Sequence, residues 1–460
     1  MKSIVKYLIC IPLVAIFCGC SLNIPPPDQF SDPDAISTVS SARSLLTSAY
    51  ISYPHYEYQL SILGNDFCPT NLLGKDVSQQ NLYRWQDNSI NELASEVWST
   101  YYTTIAFCDV LLERIPNVAT ATTAEESEKA AITSEVKTLK ALCYFNLLRL
   151  FATPYDKNPD ADGVVIKTRI GVEVAARSSK TACVNYIRDL LIEALTVNNT
   201  PAKNGWLSQK AVYHILSQLE LYAGNYQKAA QYAEEVLKNV EDGWFTGANY
   251  RYLWSANSYE GRIFAFYNSN PYYNTLQYDE PNGDYFAVNP KIEYSSNDVR
   301  KEYNIYPFTM AYESRNLFGK YNKNNREGEA NTYVDMMRYA EAYFIAAEAY
   351  CRDGEEANGI SKLNHYLSLC GANLIPNTLS GDELIDRIVS EKLNEFVGEG
   401  VNYFDLKRIG NRDIIRYTAW GKSTYSIIKK DDYKWIFPIP ASEYRYNEAV
   451  SQNEGWPINR

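Results

Sequence analysis

The chain has 460 residues, 46% of them hydrophobic, and a formal net charge of −11 at neutral pH. That length supports a large core and, on size alone, roughly three domains. Acidic residues are spread along the chain and no basic cluster stands out, which excludes the electrostatic footprint of a nucleic-acid binder.

Lys2 and Lys6 flank the start of an apolar run from Tyr7 to Phe17. The run is too short to span a bilayer core of ~30 Å and has the layout of an export signal. It ends in Phe17-Cys18-Gly19-Cys20, and a small residue before a cysteine is what lipoprotein signal peptidase accepts. Residues 1–19 therefore read as a lipoprotein signal peptide and Cys20 as the lipidated residue. Residues 20–33, with Pro25-Pro26-Pro27, read as an extended tether. Two or more acyl chains, at ~0.8 kcal/mol per buried CH₂, anchor a protein stably.

Apolar residues at helical spacing predict helices over 34–52, 89–115, 124–151, 179–198, 206–223 and 225–240. Leu207, Ala211, Val212, Ile215, Leu216 and Leu219 form one stripe. Gly224-Asn225-Tyr226 turns the chain, and Ala229, Ala230, Ala233, Val236 and Leu237 face back. This is the core pattern of a tetratricopeptide hairpin. Residues 34–243 thus form an N-terminal helical region.

From 244 to 331 helical periodicity disappears. Of these 88 residues 21 are aromatic, about a quarter against 14% overall, so the segment reads as an insert of loops and short strands. Pyranose faces stack on aromatic rings while amides and carboxylates satisfy hydroxyls. Trp254, Tyr272, Tyr273 and Tyr285, among Asn and Asp residues, are therefore candidate ligand contacts, with Trp85 from the loop region 64–88.

The C-terminal helical region, 332–460, predicts helices over 332–352, 355–371 and 380–399. Tyr339-Ala340-Glu341 to Tyr350, the turn Asp353-Gly354, and Ala357, Ile360 and Leu363 make a second hairpin. Ser380 and Glu383 read as a capping box for the last helix. Its buried face is Leu384, Ile385, Ile388, Val389, Leu393, Phe396 and Val397, and Gly398 and Gly400 end it.

Chemistry-bearing motifs are sparse. His55, His214 and His365 stand apart, and no HExxH, GxSxG or P-loop occurs. Cys68, Cys108, Cys143, Cys183, Cys351 and Cys370 lack metal spacing and read as buried thiols, although export permits a disulfide. No cofactor or metal site is expected. Glu391, Glu395 and Glu399 share one helix face, with Lys392, Lys407 and Arg408 near enough to neutralise them. Structural ion pairing is the expected role. A pair of carboxylates alone can hydrolyse a glycan, so a glycan-degrading enzyme stays as the alternative to a non-catalytic binder.

Several segments resemble one family. Glu135-Val136-Lys137, Ala141, Tyr144-Phe145, Arg149-Leu150-Phe151 and Pro154 follow its helix motif. Arg338-Tyr339-Ala340-Glu341 and Ala347-Glu348-Ala349 follow its Arg-Tyr-Ala-Glu motif. Glu391-Lys392, Glu395, Glu399-Gly400 and Phe404-Asp405-Leu406-Lys407-Arg408 follow its acidic run, and Ile439-Pro440, Glu443, Asn447, Gln452-Asn453 and Gly455 its end. The chain resembles the SusD/RagB family of outer-membrane nutrient-binding lipoproteins over nearly its whole length. Lys137, Lys140 and Lys392 stand where that family usually has Arg, Ala152 where it has Gly, and Asp109 where it has Asn. The resemblance implies a mainly α fold, with tetratricopeptide-like hairpins as a scaffold. It also implies a lipid-anchored protein on the outer membrane, facing the cell exterior. The implied partner is a SusC-like TonB-dependent transporter that the lipoprotein covers like a lid, and the implied ligand is an oligosaccharide or a peptide.

Overall fold

Short hydroxyl side chains start several of the helices. Thr38 accepts from the Ser41 N–H at 3.1 Å, and Ser41 Oγ accepts from the Thr38 N–H at 3.1 Å, opening α1 (Val39–Ser52). The computed structural model describes residues 36–460 except 71–76, 168, 172–173, 202–203, 257, 268–285, 311–312, 322–332, 446 and 459–460. After α1 come α2 (Glu57–Leu63), β1 (Phe67–Pro69), α3 (Val77–Tyr83), α4 (Asp87–Arg114), α5 (Thr123–Phe151) and α6 (Lys180–Ala194). Then come α7 (Gln209–Tyr222), α8 (Tyr226–Leu237), α9 (Tyr252–Ser255), β2 (Arg262–Tyr267), β3 (Phe286–Val288) and α10 (Val299–Tyr303). β4 (Ile305–Met310), β5 (Glu313–Phe318) and β6 (Tyr333–Arg338) lead into α11 (Tyr339–Arg352), α12 (Glu356–Cys370), α13 (Gly381–Glu395) and α14 (Val401–Ile409). β7 (Ile414–Tyr417), β8 (Thr424–Ile428) and α15 (Ala441–Arg445) complete the order. Thr122, Ser179 and Ser208 cap α5, α6 and α7 in the same way as Thr38.

The protein is mainly helical, with small sheets. From Ile132 onward α5 is buried on nearly every face, so it runs through the core with α4, α6 and α1 packed around it. The two predicted hairpins form: α7 packs on α8, α8 on α11 and α11 on α12. Gly224 takes a φ of 76° at the first turn, a left-handed conformation that suits glycine. In the second hairpin Gly359, in the first turn of α12, lies against the Ala347 carbonyl and the Cys351 sulfur, where any side chain would collide. Buried alanines along α8 and α11 let the helices approach closely.

The aromatic-rich segment contains strands, as expected. β1-β3-β5-β4 form an antiparallel sheet, β2 pairs with β6, and β7 with β8. Residues 36–460 belong to one compact unit. In the β1–β3 register Pro69 pairs with Phe286. β1, from the early loop region, and β3, from the aromatic-rich region, are therefore neighbours in one sheet.

Four local expectations are corrected. Residues 333–338 are strand, not the start of a helix: Val334 pairs with Phe266 and Asp335 with Ala265, and this tertiary pairing outweighs the helical pattern that continues into α11. The loop region 64–88 contains β1 and α3. Ser380 is the N-cap residue of α13 but makes no side-chain cap bond; Glu356 Oε1 instead accepts from the Gly381 N–H at 2.7 Å. Leu393 is only half-buried. All six described cysteines are buried free thiols. Among the described residues no helix is long and apolar enough to cross a membrane.

Candidate functional site

The acidic run is buried and fully engaged. The Arg338 guanidinium, at the junction of β6 and α11, meets Glu399 with Nε–Oε2 and Nη2–Oε1 bonds of 2.8 Å each. Its Nη1 lies 2.9 Å from Glu395. Lys320 adds a 2.5 Å bond to Glu399, and Arg300 joins Asp298 at 2.7 Å, Glu391 at 3.1 Å and Glu395 at 3.5 Å. Burial opposes ionisation of Glu395, yet the charges of Arg338, Arg300 and Lys320 hold its carboxyl below the ordinary range. The three glutamates are thus neutralised by cations from β6, α10 and the end of β5, not by the expected Lys392, Lys407 and Arg408. Arg387 also reaches Glu391, at 2.6 Å.

Lys392 and Arg408 serve a second network. Lys392 joins Glu341 at 3.1 Å and Asp405 at 2.6 Å, while Arg408 joins Asp405 at 2.9 Å and Glu348 at 2.7 Å. His214, on α7, is buried with Nε2 3.3 Å from Glu341. These pairs tie α13 and α14 to the tetratricopeptide-like helices. Each of these carboxylates is already matched by at least one buried cation. Among the described residues no group of three or more His, Cys, Asp or Glu is arranged to hold a metal ion.

Two of the departures from the family pattern answer one another. Asp109 on α4 and Lys140 on α5 form a 2.6 Å ion pair, nearly buried on both sides. Other buried cations bind helix ends instead of carboxylates. Lys407 Nζ donates to the Arg149 and Leu150 carbonyls at 2.6 and 3.0 Å, at the end of α5. Arg416 donates to the Ile62, Leu63 and Gly64 carbonyls at the end of α2. Each site joins unsatisfied carbonyls to a positive charge where the helix dipole favours one. Burial lowers Arg416 to about 10.

The five aromatic candidates divide. Trp85 is buried, its Nε1 bonded to the Leu63 carbonyl at 3.1 Å and its ring edge-on to Trp435 at 4.7 Å. Trp254 is also buried, its ring 4.6 Å from Lys320 Nζ and 4.9 Å from the Arg338 guanidinium. Both are core aromatics with no open stacking face, a correction to the sequence expectation: ring type alone does not distinguish burial from display. Tyr272, Tyr273 and Tyr285, like Cys20, lie outside the described residues. The structure adds Tyr425, 51% exposed on β8, with the Arg84 guanidinium 5.1 Å from its ring centre. Tyr306, Phe308 and Tyr417 lie half-buried on the small core of Cys68, Ala287 and Leu317. Tyr417 and Tyr425 lie on a short β-ribbon of which only Thr424-Tyr425-Ser426-Ile427 alternates in the sequence, since β7 reads Ile414-Ile415-Arg416-Tyr417 and buries its arginine.

Comparison with known proteins agrees with this architecture. Residues 175–456 match the SusD family, and residues 26–221 match a family described as starch-binding, associating with the outer membrane. The starch-binding protein SusD of Bacteroides thetaiotaomicron is 32% identical over 127 residues, a stretch that spans 27% of this chain and 22% of that protein. A putative sugar-binding protein from Bacteroides vulgatus superposes with a TM-score of 0.77 at 21% identity, covering 92% of this chain and 100% of that one. A SusD-like carbohydrate-binding protein from the same species gives 0.75 at 20% identity, covering 90% and 97%. At these identities the structural likeness speaks for the fold.

Proposed function

Because the chain belongs to the SusD family, we propose that it is a nutrient-binding lipoprotein of the outer membrane with no catalytic role. Its ligand is an oligosaccharide, and it acts as the lid of a SusC-like TonB-dependent transporter. The single observation that carries the binding reading is the β1–β3 register. Pro69 lies opposite Phe286, so β1 from the early loop region and β3 from the aromatic-rich region, two separate stretches of sequence, are neighbours in one sheet. Tyr272, Tyr273 and Tyr285 are proposed as the stacking contacts, on the aromatic and amide-rich composition of their segment. The family descriptions support carbohydrate as the ligand class, and the Gly19-Cys20 motif supports a lipid anchor. The engagement of Glu391, Glu395 and Glu399 by buried cations supports binding over hydrolysis. Co-purification from outer membranes tests the lid role: a tagged chain should bring a TonB-dependent barrel with it in comparable amount. Recovery of the chain without any such barrel would count against it.

A further inference from the structure

An internal cavity of about 90 Å³ lies between α2, α5, α7 and α14. Its lining is mainly apolar, with a few charged groups, and a space of that size holds waters or a small solute where those groups face it. One of its walls is the guanidinium of Arg149, near the end of α5. Arg149 lies between two aromatic rings, with its Cζ 4.3 Å from the centre of Phe145 and 3.8 Å from that of Phe404. Stacked in this way, its N–H groups point only along the guanidinium plane. Among the described residues one of them has a partner: Nη2 donates to Asn146 Oδ1, while Nε has none. Among the described residues no carboxylate forms an ion pair with Arg149, although the charges of Glu341 and Asp405 act on it from a distance; Arg300, Arg338 and Arg408 by contrast are each paired directly.

The local charge is unbalanced in the same sense. Glu341 and Asp405 line the cavity near Arg149, but Lys392 and Arg408 already match them. Glu399 is matched by Lys320 and Arg338. Lys407, also in the lining, bonds only to backbone carbonyls among the described residues. The one remaining lining carboxyl is Glu57, which burial raises to about 7. Arg149 therefore faces the cavity without a carboxylate of its own among the described residues, while burial and the neighbouring charges of Lys180 and Arg149 push the Lys407 amine well below its ordinary range. A buried charge without a partner is costly, and a guanidinium edge in an aromatic-walled space is a good host for an anion.

We propose that this cavity is a binding site for a small monoanion, a halide ion or a short carboxylate, held in the plane of the Arg149 guanidinium between Phe145 and Phe404. The site is separate from the glycan-binding reading and does not depend on it. Occupancy couples α5 to α14, because Arg149 comes from the first and Phe404 from the second.

Mature protein prepared in gluconate buffer and crystallised, then soaked in sodium bromide, tests this directly. The expected result is an anomalous bromide peak at hydrogen-bond distance from the guanidinium edge. In solution, bromide or acetate at fixed ionic strength should raise Tm with the logarithm of its concentration, and Arg149→Gln should abolish the rise. Planar carboxylate density at the same position in acetate-grown crystals also supports the site. Water alone in the cavity, or a peak only at molar bromide, overturns it. So does a Tm rise of equal size in Arg149→Gln. If Arg149→Gln fails to fold, the wild-type crystal decides.

Discussion

Arg338 and Glu399, 61 positions apart in sequence, meet through two parallel 2.8 Å bonds inside the protein. The fork-to-fork geometry joins β6 and α11 to the turn that follows α13, and Arg338 also reaches Glu395. Removing one partner leaves the other charge buried and uncompensated. Arg338→Ala should therefore cost about 3–5 kcal/mol, measured as a shift of the urea midpoint. Arg338→Lys should cost less, since it keeps the charge but loses the planar fork. An unchanged midpoint for Arg338→Ala would show that the cluster does not hold the scaffold.

Asp109 and Lys140 form a private pair where the family usually has Asn and Arg. Residues in direct contact are energetically coupled by ~0.5–3 kcal/mol. Asp109→Asn alone leaves Lys140 without its carboxylate and should destabilise. Adding Lys140→Arg to Asp109→Asn lets the amide oxygen accept from a planar guanidinium and should recover part of that loss. Strict additivity of the two substitutions in chemical unfolding contradicts the coupling.

Stability should pass through a maximum on the acidic side of neutrality. Burial raises Glu57 to about 7, and Asp66 and Asp335 to about 6. The folded chain holds these protons more tightly than the unfolded chain, so stability grows as pH falls through these values toward the ordinary carboxylate range. Glu348 works the other way: burial opposes its ionisation, but Arg408 and Arg352 hold it at about 2. Its contribution is present above the unfolded value of 4.5 and is lost as pH falls below it. Tm followed across the pH range should peak at about pH 4.5–6. Glu57→Gln should raise Tm at pH 8 and change it little at pH 5. A Tm that climbs steadily to pH 8, with Glu57→Gln neutral throughout, refutes this assignment.

The proposed anchoring rests on one sulfur, that of Cys20. Cys20→Ala should move the chain from the membrane fraction to the soluble periplasm and remove the mass of the attached lipid. Continued membrane retention without a lipid-sized mass shift would rule the anchor out.

Much of the scaffold was legible in sequence because helices declare themselves locally. The stripe from Leu207 to Leu219 and the Gly224 turn specify a hairpin without reference to the rest of the chain. The strand Tyr333–Arg338 was hidden because its identity depends on β2, which lies more than sixty residues earlier. The partners of Glu395 and Glu399 were hidden for the same reason. Proximity in sequence pointed to Lys392, Lys407 and Arg408, whereas folding delivered Arg300, Lys320 and Arg338. Trp85 and Trp254 misled because a buried aromatic beside a cation carries the same composition signal as an exposed stacking residue.

Calorimetric titration of the lipid-free mature chain with a panel of defined oligosaccharides, followed by product analysis of the same samples, tests the central claim most directly. The account predicts saturable heat with at least one glycan, complete recovery of that glycan intact, and loss of the heat in a Tyr272→Ala/Tyr273→Ala variant that melts normally. Shortened glycans in the recovered samples, formed by the wild-type chain and not by a Glu399→Gln variant of normal stability, would contradict it.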